Sequence, residues 1–181
     1  KRQVQELPFA GKRVTVCIHL EAKTAYLALV LRAGGATVSV TGSNPESTKD
    51  DVVAALAAEG LHVYARHGAS PEEMRRYMSI ALELQPHVVI DDGGDLVELL
   101  HESQRQHGEQ MLGACEETTS GVLRARARAR AGQLHFSVML VNDARCKYLF
   151  DNVHGTGQSA WEAVMRSTNL VLAGKTVVII G

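Results

Sequence analysis

Cysteine is scarce in this chain. There are three in 181 residues, Cys17, Cys115 and Cys146, and no Cys-x-x-Cys pair. An odd count at wide spacing argues against a disulfide framework and against a thiolate zinc site. Each cysteine lies in or beside an apolar segment, so all three are expected to be buried, reduced thiols of a reducing compartment, the cytoplasm. Charge of one sign is also missing: 19 Lys and Arg stand against 20 Asp and Glu, a formal net charge of -1. Nothing in the bulk therefore selects nucleic acid or an anionic membrane as partner. No apolar run approaches the ~20 residues of a membrane span. No secretory pattern is legible, and because the sequence opens on Lys1 its native N-terminus is expected upstream.

What is present is the composition of a soluble globular domain, 45% apolar and 22% charged. Short β-branched runs alternate with stretches of helical periodicity. Strands are expected at Arg13 to Ile18, Thr37 to Thr41, Leu61 to Ala65, His87 to Ile90, Met111 to Cys115, Leu134 to Val141 and Thr176 to Ile180. Helices are expected at Ala22 to Ala33, Thr48 to Glu59, from Ser70-Pro71-Glu72-Glu73 onward, Asp95 to His101, Thr118 to Arg130, Arg145 to Phe150 and Gln158 to Leu172. The Ser-Pro-Glu-Glu start combines a capping hydroxyl, a proline in the first turn and carboxylates at the positive end of the helix dipole. Strand–helix alternation with continuous apolar strands predicts an α/β fold, a Rossmann-like open parallel sheet with helices on both faces.

The run Arg124-Ala-Arg-Ala-Arg-Ala-Arg130 alternates like a strand, but Ala and Arg are strong helix formers and Glu-Glu-Thr-Thr precedes them. A helix with a solvated or subunit-contacting basic face is expected. No aromatic residue interleaves the arginines, which weighs against a nucleic-acid surface.

In open parallel sheets ligands bind beyond the carboxyl ends of the strands. Polar clusters follow four of the expected strands: His19, Glu21 and Lys23; Asp91, Asp92 and Asp95; Glu116, Glu117, Thr118 and Thr119; Asn142 and Asp143. If the strands are neighbours, these clusters converge on one rim. Each has a plain alternative. Asp-Asp-Gly-Gly-Asp also suits a tight turn with a helix cap, or a Mg²⁺ site. Glu-Glu-Thr-Thr also suits a helix N-terminus. Gly155-Thr156-Gly157 has the look of part of a phosphate loop but completes no fingerprint. Lys147 among apolar neighbours also suits a snorkelling surface lysine.

Taken together, the clusters resemble the substrate domain of the S-adenosylhomocysteine hydrolase family. The landmarks stand in order: CIHLEAKTA from Cys17, GSNPESTKDD from Gly42, VYA from Val63, DDGGDL from Asp91, EETTSGV from Glu116, VND from Val141 and KYLFDNVHGTGQS from Lys147. The resemblance runs from Gly11 to Gly181 and is most similar to the archaeal and Thermotoga-like branch. It implies a substrate-binding domain over residues 1–172 and the start of an NAD-binding Rossmann domain at 173–181.

The resemblance also implies a chemistry: NAD-dependent oxidation of the ribose 3′-hydroxyl, loss of homocysteine by elimination, and addition of water, all in a methyl-cycle enzyme. By the same likeness Lys147 and Asp151 stand at the 3′-hydroxyl. Asp92 and His19 serve proton transfer near C4′ and C5′, and Glu117 and Thr118 hold ribose hydroxyls. Thr118, Thr119, Ser120 and Asn152 touch NAD. Glu21 and Lys23 occupy the positions that read the base. Lysine carries only donors, which suits a purine O6 carbonyl, whereas Glu21 accepts from an amine. Adenosyl and inosyl substrates therefore both remain open. Thr156, Lys49 and Ser137 replace residues common in other branches without chemical loss. The family's habit implies a homotetramer acting on a small nucleoside, with no metal, nucleic acid or membrane. The competing expectation is a non-catalytic binding module of the same fold. Because the cofactor domain lies beyond Gly181, these 181 residues alone are expected to be inactive.

Overall fold

The computed structural model describes residues 7–180. They divide into two compact units, one running through Asn142 and one from Asp143 onward. The expected boundary at 172/173 falls inside the second unit.

The first unit is a six-stranded sheet in the order β3-β2-β1-β4-β5-β6, parallel throughout. Its strands are β1 (Arg13–Ile18), β2 (Thr37–Gly42), β3 (His62–Tyr64), β4 (Val88–Asp91), β5 (Gly113–Glu116) and β6 (Val138–Leu140). The helices between them are α1 (Ala22–Ala33), α2 (Asp50–Ala58), α3 (Pro71–Leu82), α4 (Asp95–His101) and α5 (Thr119–Arg130). The expected Rossmann-like α/β class is thus what the chain forms.

The two faces of the sheet follow from period-2 alternation in β1. Val14 and Val16 point into a core shared with Ala28 and Leu31 of α1 and Leu56 of α2. Thr15 and Cys17 point the other way. Thr15 donates its buried hydroxyl to Ala81 O of α3 at 3.3 Å. Cys17 joins Met74, Met78 and Leu82 of α3 and Leu96, Val97 and Leu100 of α4. Each fully buried Val or Leu contributes roughly 1.5–3 kcal/mol. Two apolar layers on opposite faces explain why the strands read as continuous apolar runs.

The expected start of α3 is realised as a reciprocal capping box. Ser70 Oγ accepts from Glu73 N at 3.2 Å, and Glu73 Oε2 accepts from Ser70 N at 2.8 Å. The arginine run is helical, and two of its members make ion pairs along the surface. Arg124 donates to Asp95 (2.7 Å) and Glu98 (3.2 Å), and Arg128 to Glu102 (2.5 Å), so one edge of α5 is stitched to the acidic edge of α4.

Four expectations need correction. The strand expected over Leu134 to Val141 pairs only at Val138–Leu140. Just ahead of it, His135 N–H is taken by His101 Nε2 at 3.0 Å instead of by a ladder. Cys17 is buried, but Cys115 is only half-buried and Cys146 is exposed, although all three are free thiols. In the second unit, the expected pair of helices is one continuous helical run. A π-helix over Lys147–Thr156 passes directly into α6 (Gly157–Thr168), which ends on Asn169 in the left-handed conformation. Gly155-Thr156-Gly157 therefore lies within a helix, not in a loop. Thr176 to Ile180 pairs with no strand among the described residues. A β-branched run becomes a strand only where a neighbour completes its ladder, and the described residues of the second unit contain none.

Candidate functional site

The register sets one row of side chains across the sheet. Thr41, Cys17, Asp91 and Glu116 are cross-strand partners in sequence across β2, β1, β4 and β5. The next residues outward along these strands form the rim: Ser43 after β2, His19 after β1, Asp92 after β4, Glu117 and Thr118 after β5. This is the switch point of the sheet, since β1 lies between β2 and β4. Three of the four expected polar clusters meet here. From the fourth, Asn142 reaches Thr119 Oγ1 with its side-chain amide at 3.4 Å.

Asp92 is the centre of the rim. Its carboxylate is buried while the His19 ring is half-exposed, and Nε2 stands 3.5 Å from Asp92 Oδ2. The same oxygen accepts the Ser43 hydroxyl at 2.9 Å. The other ring nitrogen, Nδ1, is 2.5 Å from Ser47 Oγ, and Ser47 Oγ donates to Asn44 O at 3.2 Å. In the tautomer with hydrogen on Nδ1, the ring donates to Ser47 Oγ while that hydroxyl donates to Asn44 O. In that tautomer Nε2 is the basic nitrogen, facing Asp92 and the rim. Both loops are tied down. Thr24 Oγ1 donates to His19 O at 2.5 Å, Thr48 Oγ1 to Asn44 O at 2.9 Å, and Glu46 N to Asn44 Oδ1 at 2.9 Å.

The Asp-Asp-Gly-Gly-Asp segment is a turn and a helix start. Gly93 and Gly94 have φ of 118° and 80°, a region that side chains rarely adopt. Gly94 is the N-cap of α4 and has no side chain to cap with. Asp91 does so instead: Oδ2 accepts from Val97 N at 3.0 Å and Oδ1 from Asp92 N at 3.1 Å. Burial is the main reason its carboxyl is pushed up to about 7, with the neighbouring Glu116 and Asp95 charges adding and the two backbone bonds opposing. Burial is likewise the main cause that raises the Cys17 thiol.

On the other side of the rim, Thr118 caps α5 by accepting from Gly121 N at 3.1 Å, and it lies 3.1 Å from Ser120 Oγ. Thr119 and Ser120 are exposed at this N-terminus, where backbone N–H groups and hydroxyls together suit phosphate, carboxamide or hydroxyl groups. Glu21 and Lys23 are exposed on the entry to α1, just after His19. Lys147, Asp151 and Asn152 are carried by the second unit. Asn152 Nδ2 is 3.5 Å from Thr156 Oγ1 on the next turn.

Sequence reasoning overlooked Ser43 and Ser47, and gave Asp91 and Glu116 no role of their own. A signal for the last two was available. Both are first members of acidic doublets at a strand end, and alternation sends one member of each doublet inward.

The family model for S-adenosyl-L-homocysteine hydrolase matches residues 1–112, from the N-terminal side through β4 and α4. An adenosylhomocysteinase from Pyrococcus abyssi is 53% identical over 182 residues, covering 100% of this chain and 43% of its own length. An S-inosyl-L-homocysteine hydrolase from Methanocaldococcus jannaschii is 50% identical over 181 residues, covering 100% of this chain and 44% of its own. An adenosylhomocysteinase from Thermotoga maritima is 49% identical over 177 residues, covering 98% and 44%. The chain thus spans less than half the length of the curated relatives it matches. With six parallel strands, an acid–histidine pair at the switch point and this match over more than half its residues, the chain belongs to the S-adenosyl-L-homocysteine hydrolase family.

Proposed function

We propose that the complete protein hydrolyses a nucleoside thioether of homocysteine, with S-adenosyl-L-homocysteine as the first choice of substrate. The observation that carries this is the Asp92–His19 pair: a buried carboxylate 3.5 Å from a half-exposed imidazole, on the rim where an α/β sheet takes its ligands. Carbon–sulfur cleavage by elimination needs a base for a carbon-bound hydrogen and an acid for the leaving sulfur. A carboxylate and an imidazole that share a proton supply both. Ser43 and Ser47 hold the two in register.

The family's cofactor, NAD, fits the donor set at the start of α5. Thr118, Thr119 and Ser120 would hold it there, and the family resemblance assigns Asn152 to the same cofactor. When bound, NAD supplies reversible oxidation at the ribose C3′. Lys147 and Asp151, four residues apart on one helical run, take the proton of the 3′-hydroxyl, a task that suits an ammonium–carboxylate pair. Glu117 and Thr118 hold the ribose hydroxyls.

Inosyl substrate is the second reading. Relatives with both names match at similar identity, and Lys23, an exposed donor-only side chain after His19, favours a carbonyl on the base. Glu21 favours an amine, and with it the adenosyl substrate. A non-catalytic module gains no support from a site that retains its acid–base pair.

Asp92→Asn tests the reading. Asn still accepts from Ser43 but holds no transferable proton, so homocysteine release by the complete NAD-loaded protein should fall by ~100-fold or more. Release at the wild-type rate would remove Asp92 from the chemistry.

A further inference from the structure

We propose that Glu116 is a positioning residue that fastens the turn carrying Asp92 to the helix start carrying Thr118. The proposal rests on the reading of Asp92 as the proton-transfer group. Glu116 is 1% exposed and is among the largest fully buried side chains. Its Oε1 alone accepts three hydrogen bonds: from Gly93 N at 2.9 Å, from Thr118 N at 3.0 Å and from Thr118 Oγ1 at 2.9 Å. Gly93 directly follows Asp92, and Thr118 is the cap of α5. One oxygen atom therefore joins two loops that have no covalent connection shorter than the 24 residues between them. Among the described residues Oε2 takes no hydrogen bond, and Glu116 lines a cavity of about 10 Å³ with Gly94, Glu98 and Arg124.

The surroundings are shaped around this carboxylate. A Cβ on Gly121 would overlap the Glu116 carboxyl carbon, and one on Gly94 would lie 3.2 Å from Gly121 Cα. Both glycines let the turn, the carboxylate and α5 close on one another. Asp91 holds the near side of the same turn through Asp92 N, so Asp92 is gripped on both flanks, by Asp91 at its own amide and by Glu116 at the following one. Glu117 sits between Glu116 and Thr118, and its N–H is fixed by Asp91 O at 3.0 Å. Fixing the loops relative to each other fixes the distance between the group that moves a proton and the groups that hold the sugar. Displacements of ~1 Å in such an arrangement cost on the order of 100-fold in rate.

The asymmetry of the two oxygens makes the test specific. In Glu116→Gln the amide oxygen accepts the same three bonds, and the nitrogen replaces an oxygen that bonds to nothing. In Glu116→Met all three bonds are lost at similar length and volume. In Glu116→Asp the charge stays but the carboxylate is drawn back by one carbon. The complete NAD-loaded protein is assayed for homocysteine release, for NAD reduction on adding nucleoside, and for exchange of the C4′ hydrogen with deuterated water.

The Met and Asp variants should lose roughly 10- to 100-fold in release and in C4′ exchange, whereas the Gln variant should stay within about threefold. A folded Met variant with wild-type release and exchange overturns the proposal. If the Met variant does not fold, an Asp variant with wild-type exchange overturns it. A folded Gln variant as impaired as Asp also overturns it, because the charge rather than the three bonds would then matter. No release by the wild-type protein overturns the functional reading and the proposal with it.

Discussion

Replacing Asp91 by Asn should change how stability depends on pH, and the two curves should cross. Asp91 is fully buried and its carboxyl is pushed from the ordinary 3.8 up to about 7. The unfolded chain ionises this group near pH 4, while the folded protein keeps it protonated until about 7. Between these values the unfolded state holds fewer protons, so each rise in pH favours unfolding. The contribution is fully present below pH 4, falls by about 1.4 kcal/mol per pH unit, and is gone above 7. The total is roughly 4 kcal/mol, a large part of the 5–15 kcal/mol typical of a domain.

Asn cannot ionise, so this slope disappears. It has one acceptor oxygen where Asp91 uses two, one for Val97 N and one for Asp92 N. Losing one of these bonds costs about 1 kcal/mol. Asn should therefore be about 1 kcal/mol less stable than the wild type at pH 4, and roughly 3 kcal/mol more stable at pH 8. Urea unfolding of the 181-residue chain across this range gives both profiles. The eight histidines are common to both proteins, so the difference between the profiles isolates Asp91. Parallel profiles would show that the folded protein ionises Asp91 at its ordinary pH, and the burial argument would fail.

Other outcomes follow from the same geometry. Gly121→Ala places a methyl into the Glu116 carboxyl group and should destabilise by ~2 kcal/mol or more, read as a lowered urea midpoint. An unchanged midpoint would mean that α5 shifts freely. Lys147→Met should fold normally, since its stem keeps its packing, yet fail to reduce NAD when adenosine is added to the complete protein. Undiminished reduction would contradict its role at the 3′-hydroxyl. The 181 residues alone should fold and yet release no homocysteine from substrate in excess NAD, because a hydride acceptor needs contact with C3′. Sustained release near the complete protein's rate would refute that expectation.

The parallel sheet was legible because both faces are covered, so its strands carry runs of buried, mostly β-branched residues such as Val14-Thr15-Val16-Cys17. The rim was legible for the same topological reason: polar residues right after β1, β4 and β5 have nowhere to go but the switch point. Pairing was less legible. Leu134 to Ser137 has strand composition, but the His135 amide is taken by the His101 ring. Thr176 to Ile180 has the strongest β composition of the second unit and no neighbour among the described residues. The inward members of the two acidic doublets were hidden because a buried carboxylate and a rim carboxylate look alike in sequence. Only the register shows that Asp91 and Glu116 are paired across β4 and β5.

The most direct test is thiol release by the wild-type complete protein, loaded with NAD, from S-adenosyl-L-homocysteine and from its inosyl counterpart in parallel. The account predicts stoichiometric homocysteine and nucleoside from at least one of them, lost on Asp92→Asn. No thiol from either substrate, by a folded protein with NAD bound, would contradict it.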